Sequence, residues 1–178
     1  MITNFNFPAR FKDAHLSRLE FPEEIINKIF HWVKNPKNFL IFLGNAGIGK
    51  TYTCYAIANY FIENKKYFRL MNERDFFGHL KETFKKSWEP TSEIKRICET
   101  EFFMLNDLGS GRPDDITDWQ KEQIFNFIDE RYESALPTII TSNHFINDLK
   151  GIYHERIVDR LCDKENVLIE LNMVSKRL

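Results

Sequence analysis

The chain has 178 residues, of which 43% are hydrophobic, and this predicts a single domain with a substantial core. Its net charge of −1 excludes bulk electrostatic attraction to nucleic acid or acidic lipid, so any nucleic-acid contact would need a local basic patch. The three cysteines are far apart and form no CxxC pair, which excludes a cysteine metal site and favours reduced thiols in a cytoplasmic protein. No apolar run reaches transmembrane length, and we therefore expect no membrane segment.

The first 21 residues are predicted to be an irregular N-terminal arm, ahead of a core that spans residues 22–178. Basic and aromatic residues alternate in this arm: Phe5, Phe7, Arg10, Phe11, Lys12 and Arg18. The pattern suits an arm that packs on the core or on a partner, and packing on the core is the more common outcome. Pro22 suits the first position of a helix, which then shows isoleucines at helical spacing as far as Asn35-Pro36.

Residues 44–51 read GNAGIGKT and match the phosphate-binding pattern GxxxxGK[ST] at every position. An apolar strand over residues 38–43 precedes them and a helix over residues 50–64 follows, which is the context that the motif requires. Glycines allow backbone amides to surround phosphate oxygens, and the helix N-terminus adds positive potential. Lys50 would reach the β- and γ-phosphates of ATP, and the Thr51 hydroxyl would hold Mg²⁺. The predicted nucleotide-binding residues are Gly44, Asn45, Ala46, Gly47, Ile48, Gly49, Lys50, Thr51 and Tyr52.

A second strand is predicted over residues 67–71, and Asn72 is a plausible N-cap of the helix that follows it, with Asp75 three residues on. This helix and the next one carry basic residues close to aromatic ones: Lys81, Lys85, Lys86, Trp88, Lys95 and Arg96. Such a combination can bind single-stranded nucleic acid, although a solvated helix face is the commoner explanation.

Two further apolar strands end in polar residues. The strand over residues 101–105 continues into Asn106-Asp107, and an acid there can hold the Mg²⁺ shell and orient the attacking water. The strand over residues 137–141 continues into Ser142-Asn143-His144. Asn143 could contact the γ-phosphate or the attacking water, because ligands bind at the carboxyl ends of parallel strands. His144 is expected to be an ordinary loop residue.

A helix over residues 153–163 carries Arg156 and Arg160 on one face, four residues apart. Charge pairing with Glu155 and Asp159 explains these two arginines as well as a functional role does. A last strand is predicted over residues 166–171. Strands that alternate with helices predict an α/β fold with a mostly parallel central sheet and helices on both faces.

The chain resembles the AAA+ ATPase core of the DnaC-like helicase loaders and the related IstB-like transposition ATPases. The resemblance covers residues 7–177 and rests on FPARFKDAHLSRLEF, GNAGIGKT, FMLNDLG, DERYESALPTIITSN, ERIVDRL and SKR. It implies a P-loop NTPase fold without a C-terminal lid domain, with ATP and Mg²⁺ as cofactors. It also implies loading or remodelling of a replicative hexameric helicase on single-stranded DNA.

The resemblance assigns a role to each matching polar residue. The assignments are Lys50 and Thr51 to Walker A, Asn106 and Asp107 to Walker B, Asn143 to sensor 1, Arg160 (or Arg156) to the arginine finger, and Arg177 to the C-terminal sensor arginine. Thr51, Asp107 and Asn106 are the residues expected near the metal. Arginine fingers act on the nucleotide of a neighbouring subunit, so the resemblance implies self-association.

The sequence departs from this family pattern in two places. Walker B normally has two acids, but Asn106 replaces the first, and this predicts nucleotide binding with slow hydrolysis. The family's loaders usually carry an N-terminal helicase-binding domain, whereas here the matching region begins almost at Met1. Helicase docking would then depend on the core or the short arm, unless the chain is a trimmed loader.

Three alternative functions fit the same motifs. A transposition helper would share the fold and the site but have a transposase as its partner. A nucleotide-gated binding module would assemble on ATP with little hydrolysis, as Asn106 favours. A small-molecule P-loop kinase is compatible with the length, but the sequence shows no clear arginine-rich lid.

Overall fold

The computed structural model describes residues 7–84, 90–111 and 115–172, and these form a sheet of five strands flanked by helices. The elements are α1 (Glu23–Lys34), β1 (Phe39–Gly44), α2 (Lys50–Glu63), β2 (Phe68–Asn72), α3 (Glu73–Phe84), α4 (Pro90–Cys98), β3 (Phe102–Leu108), α5 (Asp118–Glu133), β4 (Thr138–Ser142), α6 (Ile146–Ile152), α7 (Glu155–Leu161) and β5 (Val167–Leu171). Two single-turn 3-10 helices, Ala9–Phe11 and Leu16–Arg18, precede them. None of the helices in the described ranges is both long and apolar enough to span a bilayer.

The strands have the order β2-β3-β4-β1-β5, and every pair of neighbours is parallel. The predicted mostly parallel sheet is confirmed. Strands β1 and β4 are buried along their whole length, because helices cover both faces. One core lies between the sheet and α3 to α7, and the other between the sheet, α1, α2 and the N-terminal segment. The carboxyl ends of β1, β3 and β4 consequently meet at one edge.

The N-terminal segment, which we define as residues 7–21, packs on the core. Phe7, Leu16 and Leu19 are buried in the same cluster as the apolar face of α2. Asn59 of α2 donates from Nδ2 to the carbonyl oxygen of Ala14 at 2.7 Å. The segment therefore belongs to the folded body and lies beside the phosphate-binding loop.

Most predicted elements lie within two residues of the observed ones, but the region after β4 differs. The helix α6 was not predicted, and the helix predicted over residues 153–163 is the shorter α7. Tyr153 has an extended backbone (φ −115°, ψ 172°) and its amide caps α6, so it ends one helix instead of starting the next. The predicted cap of α3 is confirmed, because Asn72 Oδ1 accepts from the amide of Asp75 at 2.8 Å.

A fully buried arginine holds the other end of the sheet. Arg131 of α5 donates to Thr138 Oγ1 at 2.6 Å and to the carbonyl oxygens of Pro137 and Thr100 at 2.8 and 2.9 Å. Burial lowers the pKa of Arg131 to about 10, so the guanidinium stays charged at neutral pH. It ties the start of β4 to the turn before β3. Of the basic and aromatic residues singled out after β2, Lys85, Lys86 and Trp88 lie outside the described residues.

We predict that Gly44→Ala unfolds more easily than the wild type. Gly44 has φ +129°, and a Cβ there would lie 2.1 Å from the carbonyl oxygen of Leu171 in β5. Both the conformation and the clash involve backbone, so we expect the free energy of unfolding to fall by about 2 kcal/mol or more in urea titrations.

The matched control is Gly78→Ala on the exposed side of α3, where a Cβ would meet nothing within 4 Å. This change should raise the free energy of unfolding by about 0.5–1 kcal/mol, because alanine loses less conformational entropy on folding. Wild-type stability in Gly44→Ala would contradict the close approach of β5.

Candidate nucleotide-binding site

The phosphate-binding loop connects β1 to α2 and is shaped by glycines. Gly47 and Gly49 have φ values of +82° and +103°, in the left-handed region that favours glycine. Gly49 is the N-cap of α2, so the amides of Lys50 and Thr51 open a 14-residue helix. The loop therefore presents the amide donors of a helix start and the positive end of the helix dipole to the same space.

The ammonium of Lys50 is held against this loop. Its side chain is only 4% exposed, and Nζ donates to the carbonyl oxygens of Gly44 and Asn45 at 2.6 and 2.7 Å. These two contacts hold the buried cation at the loop. Charge-assisted bonds to phosphate oxygens are stronger than bonds to carbonyl oxygens, so the ammonium can exchange one kind of contact for the other.

A β-bulge places the acid of the site. The register between β3 and β4 shifts between Leu105 and Leu108, so Asn106 and Asp107 together stand opposite Thr141. Asp107 has φ +57°, a left-handed conformation that aspartate tolerates better than most residues. Its amide donates to Thr141 Oγ1 at 3.0 Å, and the Thr141 hydroxyl donates to Asn106 Oδ1 at 3.2 Å. The threonine thus pairs with the backbone amide of one bulge residue and the side chain of the other.

Two more side chains of the β4 end join the loops after β3 and β4. Ser142 donates from its hydroxyl to the carbonyl oxygen of Leu108 at 2.6 Å, and His144 Nε2 lies 2.9 Å from the carbonyl oxygen of Gly109. His144, predicted to be an ordinary loop residue, therefore bridges these loops. Asn143 lies between Ser142 and His144 in sequence, so these contacts anchor both of its neighbours.

The four central predicted residues line one cavity. We call it the phosphate cavity; its volume is about 360 Å³, and Lys50, Thr51, Asp107 and Asn143 lie in its wall. The other lining residues are Arg10, Phe11, Ala46, Gly47, Gly49 and Tyr52. Asn106 is not among them. Its side chain is 4% exposed and bonds Thr141, so Asp107 alone brings a carboxylate to the cavity.

A second cavity of about 360 Å³ adjoins the loop, and we call it the base cavity. Its wall comprises Arg18, Leu19, Glu20, Phe21, Gly47, Gly49, Tyr52 and Thr53. The ring of Phe21 lies so close that a Cβ on Gly49 would meet it at 3.4 Å. An aromatic and aliphatic wall of this kind suits a planar base.

The predicted arginines on α7 do not lie in the phosphate cavity. Arg160 contacts two acids of α5, with Nε 2.9 Å from Asp129 Oδ1 and Nη2 3.4 Å from Glu133 Oε1. Arg156 stacks on Phe125 of α5, with its guanidinium carbon 4.3 Å from the ring centroid. The pairing with Glu155 and Asp159 that the sequence suggested is replaced by contacts to α5. Arg177 lies outside the described residues.

A buried glutamate lies beside the Asp107 loop. Glu73 is 3% exposed and accepts a hydrogen bond from the Tyr153 hydroxyl. Burial raises its pKa to about 7; backbone amides of residues 109–111 oppose the shift, and the charge of Asp107 adds to it. The carboxyl of Glu73 therefore titrates near neutral pH next to the loop that follows the acid of the site.

The donor set of the phosphate cavity fits ATP and Mg²⁺. Helix-start amides and Lys50 match phosphate oxygens, and a hydroxyl (Thr51) with a carboxylate (Asp107) are the oxygen ligands that Mg²⁺ takes. Within the described ranges, no group of three or more His, Cys, Asp or Glu residues is arranged so that it could hold a metal ion. A metal ion here would therefore depend on nucleotide oxygens as well as on the protein.

A phosphate loop after β1, an acid at the end of β3 and an amide after β4, in this strand order, define a P-loop ATP-binding protein of the AAA+ class. The chain belongs to the IstB-like ATP binding protein family, whose sequence profile matches residues 15–178. The family resemblance inferred from the sequence is thereby confirmed.

Individual relatives and solved structures agree with this assignment. The replicative helicase loader DnaC of Buchnera aphidicola subsp. Baizongia pistaciae is 28% identical over 146 residues, which cover 81% of this chain and 58% of the relative. A crystal structure of the DnaC helicase loader has a TM-score of 0.78 at 24% identity, covering 92% of this chain and 99% of that one. The replication initiator DnaA bound to AMPPCP and single-stranded DNA has a TM-score of 0.76 at 17% identity, covering 92% and 51%. These structural likenesses show the fold, and the chain spans about half the length of the curated DnaC relatives.

Three residues of the site region were not predicted from the sequence as site residues. Thr141 lies in the predicted strand just before Ser142-Asn143, and nothing in the sequence distinguishes it from an ordinary strand residue. Glu73 directly follows the end of a strand, and this position is the one sequence signal that could have marked it as a residue near the site. Arg10 lies in the FPARF stretch, where the mixture of basic and aromatic residues predicts an arm but no nucleotide contact.

We predict that Glu73→Gln flattens the pH dependence of stability. The pKa of about 7 in the folded chain lies above the ordinary 4.5, so between these values the unfolded chain loses the proton while the folded chain keeps it. Stability from this group is therefore present below pH 4.5 and is lost as the pH rises to 7. From pH 5 to 8 the wild type should lose about 1–3 kcal/mol more unfolding free energy than Glu73→Gln, measured in urea.

The control for this experiment is Glu23→Gln at the exposed start of α1, which should keep the wild-type slope. Parallel pH profiles for the wild type and Glu73→Gln would show that Glu73 titrates at its ordinary value.

Proposed function

We propose that this chain is a cytoplasmic, ATP-binding and slowly ATP-hydrolysing module that loads or remodels a replicative hexameric helicase on single-stranded DNA. The observation that carries the proposal is the cavity shared by Lys50, Thr51, Asp107 and Asn143 in a chain of the IstB-like family. The relatives named as replicative helicase loaders, and the DnaA structure with AMPPCP and single-stranded DNA, support this kind of partner.

The nucleotide would extend across both cavities. The base would occupy the base cavity against Phe21, and the phosphates would lie over the start of α2. Lys50 would exchange its two carbonyl contacts for phosphate oxygens. Thr51 and Asp107 would hold Mg²⁺, which neutralises charge on the β- and γ-phosphates when bound.

Hydrolysis would depend on Asp107 and Asn143. The Asp107 carboxylate lies in the cavity wall and can accept a proton from, or orient, the attacking water, while the Asn143 amide can contact the γ-phosphate. Asn106 supplies no charge and is turned towards Thr141. One acid in place of two is the basis for the slow rate, and it also favours a second function, in which ATP gates binding and hydrolysis contributes little.

Self-association would complete the site through α7. The Arg160 side chain is about one third exposed (33%) and is held in its own chain by acids of α5. We propose that in an assembly it reaches the nucleotide of a neighbouring subunit, with Arg156 as the alternative, and that Arg177 is the C-terminal sensor arginine. An arginine supplied in trans adds positive charge where the transition state needs it.

The family also permits a role in transposition, because its profile is that of IstB-like proteins. A transposition helper would use the same ATP site and bind DNA and a transposase in place of the helicase. The small-molecule kinase alternative is set aside, because the chain belongs to this family.

The first test measures whether the hexameric helicase of the same source binds this protein. We expect co-sedimentation that depends on ATP and single-stranded DNA and that Lys50→Ala abolishes, because losing charge-assisted bonds to phosphate weakens nucleotide binding by about 10- to 100-fold. Lys28→Ala, an exposed ion-pair lysine on α1, is the matched control and should behave as the wild type.

ATP-dependent DNA binding without helicase binding would favour the transposition helper. If the protein binds nucleotide but shows neither helicase binding nor ATP-dependent DNA binding, both functions are contradicted.

The second test compares ATP turnover in the wild type and Asn106→Asp. An aspartate can still accept from Thr141 and adds a carboxylate beside Asp107. We expect turnover to rise by about 10- to 100-fold, while the affinity for ATP changes little. Thr141→Val is a useful companion, because it removes the hydroxyl that holds the bulge and should lower turnover in both backgrounds. Equal rates for the wild type and Asn106→Asp would refute slow hydrolysis caused by Asn106.

A further inference from the structure

One face of α2 holds the N-terminal segment beside the phosphate cavity. Tyr52, Tyr55 and Asn59 lie on this face and contact the segment one after another along the helix. The amide of His15 donates to the Tyr52 hydroxyl at 3.3 Å, and Asn59 Nδ2 donates to the carbonyl oxygen of Ala14 at 2.7 Å. Because α2 also opens with the phosphate-binding amides, one rigid helix positions both the segment and the site.

The ring of Tyr55 fixes the first turn of the segment. Phe11 stacks on it with centroids 4.4 Å apart and an interplanar angle of 14°, and Phe7 meets it edge-on at 5.0 Å. The guanidinium carbon of Arg10 lies 4.6 Å from the centroid of the Phe11 ring. These contacts hold Arg10 in the wall of the phosphate cavity.

Arg10 carries its charge into this wall without a carboxylate of its own. None of the ion pairs among residues 7–84, 90–111 and 115–172 includes Arg10. Its side chain is exposed. The cavity wall therefore has two cations, Arg10 and Lys50, against one acid, Asp107. This excess of positive charge suits a polyphosphate, and a guanidinium fork matches two phosphate oxygens at once.

Arg10 lies at the end of the proposed site where the γ-phosphate would bind. Asp107 and Asn143, the residues assigned to the γ-phosphate and the attacking water, share its cavity. Neither of them lies in the wall of the base cavity, which is where the segment places Arg18. The two arginines of the segment thus line different cavities, those proposed for the two ends of the nucleotide.

We propose that Arg10 binds the γ-phosphate of ATP in cis and that ATP thereby fastens the N-terminal segment to α2. The inference rests on the proposed ATP site. ADP lacks the group that Arg10 contacts, so the segment would respond to whether ATP or ADP is bound.

The test measures dissociation constants for AMPPCP and ADP by calorimetry in the wild type, Arg10→Gln and Lys12→Gln. Arg10→Gln should weaken AMPPCP binding about tenfold or more and ADP binding less than about twofold. Lys12→Gln removes a neighbouring charge that does not line either cavity and should match the wild type. Equal losses for both nucleotides, or no loss, would overturn the proposal.

Hydrogen exchange over residues 7–15 gives a second readout. AMPPCP should slow amide exchange there more than ADP does in the wild type and Lys12→Gln, but not in Arg10→Gln. If Arg10 serves only to stack on Phe11, Arg10→Gln lowers thermal stability and leaves the AMPPCP-to-ADP affinity ratio unchanged, which refutes the inference. If the wild type binds both nucleotides, such a result refutes only the role of Arg10. If the wild type binds neither nucleotide, the proposed function itself is refuted.

Discussion

The hydrogen bonds of Thr141 across the bulge in β3 are the interaction on which the site depends. A bulge removes ladder bonds and turns the strand, and here it puts Asp107 into a left-handed conformation at the cavity wall. The Thr141 hydroxyl accepts from the Asp107 amide and donates to Asn106, so one side chain satisfies both displaced residues. Ser142 and His144 continue the same pattern one and three residues further on. Polar side chains at and just after the end of β4 therefore help to fix the geometry of this edge of the sheet.

The N-terminal segment and α2 form a second unit around the nucleotide. Aromatic stacking on Tyr55 and amide contacts from Asn59 hold the segment, which contributes Phe21 to the base cavity and Arg10 to the phosphate cavity. The N-terminal segment thus contributes to the walls of both cavities, whereas Asp107 and Asn143, at the carboxyl ends of the strands, line the phosphate cavity.

Much of this could be predicted from the sequence, because the signals are local. The GNAGIGKT stretch between an apolar strand and a helix predicted Lys50 and Thr51, and the polar residues after two apolar strands predicted Asp107 and Asn143. What escaped prediction depends on contacts between distant segments. The bulge is invisible without the register of β4, the burial of Glu73 depends on Tyr153, and the position of Arg10 depends on ring stacking with α2. The helix α6 is seven residues long and too short for its periodicity to show.

The strand order has a consequence for how the chain acquires its structure. Strand β1, which leads into the phosphate loop, pairs with β4 and β5 and not with β2; Leu40, for example, is matched with Ile139 and Val167. Its two neighbours are therefore made about a hundred and more residues later on the ribosome. Pairings of such long sequence separation form late and slowly. A nascent chain would expose the apolar edges of β1 until β4 and β5 have left the ribosome, and such partly synthesised chains would be the ones that need chaperones.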